Sequence, residues 1–228
     1  MASNPIQREK MKILNLYAGI GGNRKLWGDV EVVAVENNPY IAKIYQDYFP
    51  KDEVVVGDAH EYLLNHYDDG FDFIWSSPPC TSHSRARMWG WKNDKRVKKL
   101  YPDMHLYEEI IFLQNYYQQQ FNGKWVVENV IGYYPPLIVP QKIGRHYFWS
   151  NFVIRDLKHE KSNINRGSIK EWEEKTGFSL QGKDVGGHRK DAILRNCVEP
   201  ELGLHIFQEA IGVSSREQSV AQTLQLDL

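Results

Sequence analysis

Short apolar runs, rich in β-branched and aromatic residues, recur through the first 130 residues at 12–16, 31–35, 53–56, 71–76 and 125–127. Each is too short for a helix and too apolar for a loop, which predicts buried strands. Between them lie helical patterns. Pro39 opens one that runs through Tyr48, since proline suits a first helical turn. Another covers 60–66, and a third covers 104–121 with Leu106, Ile110 and Leu113 on one face. Strands alternating with helices predict an α/β fold with a parallel, doubly wound sheet. Beyond residue 130 the pattern loosens: strands over 144–154, a polar stretch over 155–190 and a helix near 200–212. The first ten residues, polar and without period, read as a lead-in.

With 228 residues, 42% hydrophobic and 13% aromatic, the chain suits one globular domain with a small C-terminal extension. A formal charge of −1 argues against a uniformly basic nucleic-acid binder but leaves room for a local basic face. Cys80 and Cys197 are the only cysteines, with neither a disulfide framework nor a zinc-ligand cluster around them. No secretory signal or spanning apolar run is read, so the expectation is a cytoplasmic protein without membrane contact.

Candidate chemistry gathers at the strand ends, where open α/β sheets bind their ligands. The run 71–76 ends in Ser76-Ser77-Pro78-Pro79-Cys80, and the run 125–127 ends in Glu128-Asn129-Val130. A thiol and a carboxyl at two such ends have the makings of a nucleophile and a general acid. Either alone reads equally well as a buried cysteine or a capping glutamate; the joint placement favours chemistry. After the first strand comes Tyr17-Ala18-Gly19-Ile20-Gly21-Gly22, whose Gly19 and Gly21 would let backbone approach a ligand. A dinucleotide fingerprint wants a further glycine where Arg24 stands, which weakens a nicotinamide reading. Glu36 suits ribose hydroxyls and Asp58 suits an adenine amino group, although both also suit a helix start. Together these point to an adenosine ligand without a required phosphate site, such as S-adenosylmethionine.

The chain from about residue 12 to its last helix resembles the cytosine-C5 DNA methyltransferases. Asn15-Leu16-Tyr17-Ala18-Gly19-Ile20-Gly21-Gly22 is similar to the opening Asp-Leu-Phe-x-Gly-x-Gly-Gly motif. Pro79-Cys80 and Glu128-Asn129-Val130 are similar to the nucleophile and Glu-Asn-Val motifs. Gln141-Lys142-Ile143-Gly144-Arg145 resembles Gln-x-Arg-x-Arg with Ile143 at the first arginine, and Arg195-Asn196-Cys197-Val198 resembles Gly-Asn-x-Val with Arg195 at the glycine.

The resemblance implies a Rossmann-like S-adenosylmethionine-dependent methyltransferase fold over 11–228. It implies that Cys80 attacks C6 of cytosine, Glu128 protonates the N3 side and Arg145 holds O2. Tyr17, Ala18, Gly19, Ile20, Gly21, Gly22, Glu36, Asn37, Asp58, Ala59, Ser77, Pro79, Asn196 and Val198 would surround the cofactor. No metal is implied. DNA is the expected substrate, with its target base flipped out of the duplex.

Residues 81–100 carry seven lysines and arginines against Asp94, with Met88, Trp89 and Trp91 interleaved. In the family the corresponding loop closes over nucleic acid, so Ser84, Arg85, Arg87, Trp89, Lys95 and Arg96 are expected at that surface. Arg155, Lys158, Lys161 and Arg166 form a weaker basic run. Family members usually insert a target-recognition domain, for which only 151–194 remains here, with 195–212 returning to the cofactor. That implies a short recognised context or a protein partner that gives specificity. Ser-Pro-Pro-Cys also resembles the transfer-RNA-methylating branch, which makes RNA the second substrate candidate. A catalytically silent nucleic-acid-binding relative is a third reading, against which Cys80, Glu128 and Arg145 stand intact.

Overall fold

The computed structural model describes residues 10–94, 98, 100–157 and 167–212. Its centre is a sheet of β1 (Lys12–Leu16), β2 (Glu31–Glu36), β3 (Glu53–Val56), β4 (Phe73–Ser76), β5 (Lys124–Val130), β6 (Gln141–Ile143) and β7 (His146–Ser150). The strands lie in the order β3-β2-β1-β4-β5-β7-β6. β1 to β5 run parallel, whereas β7 is antiparallel to both of its neighbours. The parallel, doubly wound sheet expected over the first 130 residues is thus present, and the looser region beyond it adds the antiparallel edge. The Gly144-Arg145 turn joins β6 to β7 too tightly for the crossover that a parallel pair needs.

Central parallel strands bury both faces, which is why their sequences are continuously apolar. Ile13, Ala34, Phe73, Trp75 and Val126 pack on one side with Tyr45 of α1 (Pro39–Tyr48) and Ile206 and Phe207 of α8 (Pro200–Ile211). Leu14, Leu16, Val35, Ile74 and Val127 pack on the other side. Their partners there are Leu63 of α2 (Ala59–His66) and Leu106 and Ile110 of α4 (His105–Phe112). The long helical pattern over 104–121 is interrupted: α4 runs into a π-helical turn, Leu113–Tyr117, before α5 (Gln118–Gln120).

Two polar stretches hold helices that their periodicity hid. The basic loop contains α3 (Arg85–Asn93), which has no buried residue and hence no apolar stripe. The stretch over 155–190 contains α6 (Ile169–Thr176), opened by a Ser168–Glu171 capping box and stopped by Gly177 in the left-handed region. α7 (Lys190–Asn196) follows it. Trp172, Phe178, Leu180 and Leu194 from this region bury against Ile41 and Ile44 of α1 and Ile20 of the glycine turn. Residues 169–196 are thus packed onto the edge of the sheet domain. Among the described residues no helix is long and apolar enough to cross a membrane.

Strand order decides where a ligand can enter. The chain winds outward from β1 to β3, then restarts at β4 on the other side of β1. The switch point between β1 and β4 opens a crevice at the carboxyl ends of the strands. In spatial order β2, β1, β4 and β5 end there, carrying Glu36, the glycine turn, the Pro-Pro-Cys segment and Glu128-Asn129.

Candidate active site

Cys80 sits in a tight turn after β4, where its carbonyl accepts hydrogen bonds from both His83 N and Ser84 N at 3.0 Å. The neighbouring strand end grips the same segment: Asn129 Nδ2 donates to the Pro78 carbonyl at 3.0 Å, and Val130 N donates to Asn129 Oδ1 at 2.9 Å. Asn129 is thereby used up within the protein. Glu128, the preceding residue on β5, is buried near the Ser77 side chain. Burial pushes its carboxyl up to about 7, against the opposing pull of Ser77 and Arg145. Arg145 follows Gly144, whose φ of +56° makes the sharp turn between β6 and β7.

The electrostatics bind these groups together. Burial raises the Cys80 thiol, the Glu128 carboxylate raises it further, and Arg145 lowers it. His146 also enters the site: its Nε2 lies 3.6 Å from Glu128 Oε1. Burial, helped by Arg145, lowers its ring to about 3, so it is neutral there. Sequence reasoning missed His146 because its place depends on antiparallel pairing of β7 with β5, where it faces Val130.

Across the switch point, Glu36 Oε2 accepts from Gly19 N at 3.0 Å and Oε1 accepts from Asn38 N at 2.9 Å. Each carboxylate oxygen keeps a lone pair for a ligand. A cavity of about 240 Å³ opens nearby, with Tyr17, Asn37, Asp58, Pro78 and Pro79 in its wall. Asp58 serves two ends at once, since it also caps α2 by accepting from Glu61 N at 3.0 Å. No lysine or arginine lines this cavity among the described residues. Carboxylates, an aromatic ring and a largely polar wall without lysine or arginine suit S-adenosylmethionine, which needs no phosphate partner.

Beneath Tyr17 lies a polar hub that the sequence did not announce. Buried Glu109 accepts from Tyr17 Oη at 2.5 Å and from Ser76 Oγ at 2.6 Å, with His60 Nδ1 at 3.2 Å. Tyr17 needs this anchor, for it is the one residue other than glycine with a positive φ among those described, at +55°.

Several expected cofactor contacts lie elsewhere. A Cβ at Gly21 would strike the Phe49 ring, and one at Gly22 would strike Cys197 Sγ. Both glycines are therefore demanded by packing, and only Gly19 is open around its α-carbon. The side chains of Ala18, Ile20 and Ala59 are core. Asn196 ends α7 and Val198 packs behind Gly22, so neither lines the cavity. Arg24, which displaces a dinucleotide glycine, is spent on a two-pronged pair with buried Asp52 at 2.9 and 3.1 Å.

On the basic surface, Ser84 caps α3 and Arg85 Nε donates to the Gly132 carbonyl at 2.9 Å, so both hold structure. Arg87 Nη2 donates to the Lys98 carbonyl. Trp89 stands 69% exposed on the same helix. Arg155 is paired with Glu209. Lys95, Arg96, Lys99, Lys158, Lys161 and Arg166 lie outside the described residues.

No curated protein matches the chain. A triple mutant of Spodoptera frugiperda DNMT2 is similar at 19% identity and a TM-score of 0.43, over 65% of this chain and 54% of that one. A putative DNA modification methyltransferase from an Escherichia coli prophage is similar at 17% identity and a TM-score of 0.41, over 72% and 54%. The chain thus spans about half the length of each. Residues 11–111 match the family model for C-5 cytosine-specific DNA methylases. That segment, under half of the chain, holds the glycine turn, Glu36, Asp58 and Cys80.

Proposed function

We propose that this protein methylates C5 of cytosine in DNA through a covalent adduct between Cys80 and C6. What supports the reading is the electrostatic influence of Glu128 and Arg145 on Cys80, and of Arg145 on Glu128, near the ends of β4, β5 and β6. Glu36 and Tyr17 would hold S-adenosylmethionine, which when bound would supply an electrophilic methyl group. Cytosine C5 is too poor a nucleophile to take it unaided. Addition of the Cys80 thiolate to C6 pushes electron density onto C5, while Glu128 in its protonated form gives its proton at N3. Arg145 offsets the charge that gathers on O2. Once C5 has taken the methyl group, leaving S-adenosylhomocysteine behind, it loses its proton to a solvent water. N3 then returns its proton to Glu128, and the Cys80–C6 bond breaks to release the thiolate.

Burial suits the acid and works against the nucleophile. It keeps Glu128 protonated up to about neutral pH, as a proton donor needs to be. It also makes Cys80 reluctant to ionise, which leaves Arg145 to favour the thiolate. Asn129 holds the loop by its bond to Pro78 and so fixes where the thiol stands.

Transfer of tritium from labelled cofactor, tried on duplex DNA, transfer RNA and free deoxycytidine nucleotides, tests the substrate. Label in DNA is the expected result; label in transfer RNA alone would move the substrate to RNA. Cys80→Ala should abolish transfer while leaving cofactor affinity nearly unchanged. A variant that keeps more than a few per cent of wild-type turnover would remove the covalent mechanism.

A further inference from the structure

His60 is the second residue of α2, and His105 and Glu108 share a face at the start of α4, three residues apart. The two helices bring these side chains together at the rim of the cofactor cavity, which His60 and His105 help to line. One donor atom from each of the three lies within 4.8 Å of the other two. Glu108 Oε2 is 3.6 Å from His60 Nε2 and 3.9 Å from His105 Nε2. These separations are too long for hydrogen bonds. The donors converge on a shared space without bonding one another.

The far side of each ring is held. His60 Nδ1 meets Glu109 Oε1 at 3.2 Å, and Glu109 is itself buried and fixed by Tyr17 and Ser76. His105 Nδ1 meets Asp103 Oδ1 at 3.0 Å. A carboxylate behind each imidazole accepts a hydrogen bond from Nδ1–H and leaves the Nε2 lone pair directed outward, which is how metal-binding histidines are oriented. A tetrahedral ion with ligands at about 2.0–2.1 Å sets its donors roughly 3.3–3.5 Å apart. The observed spacing needs only small side-chain rotations to reach that value.

We propose that His60, His105 and Glu108 bind a divalent cation of the zinc class and so clasp α2 to α4 beside the cofactor cavity. Two imidazoles with one carboxylate favour zinc-like ions over magnesium or calcium, which prefer oxygen donors throughout. No spacing along the chain signals this site, because its ligands come from separate helices and include no cysteine. The site rests on side-chain geometry and is independent of which nucleic acid the protein modifies.

The test is calorimetric titration of the chelator-treated full chain with Zn²⁺, repeated with Co²⁺ to read its visible absorption. One ion per chain is expected, with the absorption of low-coordinate cobalt. His105→Gln and Glu108→Gln alter side chains that are 56% and 58% exposed, so neither threatens folding. Each should weaken Zn²⁺ binding at least about tenfold, the scale of losing an oriented ligand. His66→Gln, at another exposed histidine–aspartate contact, should leave the affinity unchanged. Binding that does not saturate, or that survives both His105→Gln and Glu108→Gln at full affinity, would overturn the site.

Discussion

Glu128 carries the most consequential residue-level shift, because its surroundings force a carboxylic acid to titrate at about 7. Its folded pKa lies above the ordinary glutamate value of 4.5, so folding favours the protonated form. The stability this contributes is full below pH 4.5 and is lost as pH rises through about 7. Glu128→Gln cannot ionise, so its melting temperature should climb relative to wild type as pH rises from about 5 to about 8. Turnover should fall by roughly 10² or more, the scale of lost acid catalysis. Equal melting differences at the two pH values would show that Glu128 is not the buried acid described. The departures from family motifs also make sense at this scale. Asn15, fully buried, pairs with Asn23 through Nδ2–Oδ1 contacts of 2.7 and 3.5 Å, an exchange in which an amide both donates and accepts and an aspartate could only accept. Ile143 is 4% exposed in the core, where an arginine would be costly.

At the scale of elements, close approach of backbones outweighs helix propensity. Gly203 lies within α8, where alanine would ordinarily add about 1 kcal/mol of stability. Here a Cβ would sit 2.5 Å from the Asn23 carbonyl oxygen and 2.6 Å from Asn23 Cα, both backbone atoms that cannot swing aside. The Gly203 carbonyl also accepts from Trp27 Nε1 at 3.2 Å. Overpacking of this kind costs about 1–3 kcal/mol. Gly203→Ala is therefore expected to lower the urea midpoint, despite the better helix former. An unchanged or higher midpoint would mean that α8 stands farther from the glycine turn. The same reasoning explains Gly21 and Gly22, whose motif position suggests a ligand contact but whose neighbours are Phe49 and Cys197.

For the molecule as a whole, residues 169–196 either fold with the sheet or hang from it. Trp172, 6% exposed, joins α6 to Ile41 and Ile44 of α1, and Tyr48 Oη donates to the Ser179 carbonyl at 2.7 Å. One cooperative unit is the expectation. Trp172→Ala should then destabilise the entire chain by about 3–5 kcal/mol, the usual cost of such a truncation. Circular dichroism and fluorescence midpoints should move down together. If the main transition stays in place while a small early one appears, α6 and α7 form a separate appendage.

The strands, and the two residues at the centre of the proposed chemistry, are legible in the chain alone. Parallel strands buried on both faces announce themselves as apolar runs, and β1, β3 and the end of β4 begin or stop where those runs do. Cys80 and Glu128 stand out because they follow such runs closely. Folding alone makes particular strand ends neighbours, and with them everything that depends on register. His146 reaches Glu128 through a β5–β7 pairing that no local pattern encodes. Glu109 gathers Tyr17, Ser76 and His60 from three distant segments. α3 stays hidden because it buries nothing, and α6 because it is short and buries only Trp172 and Thr176. Periodicity records what a segment buries, whereas a site is made of what separate segments bring to one place.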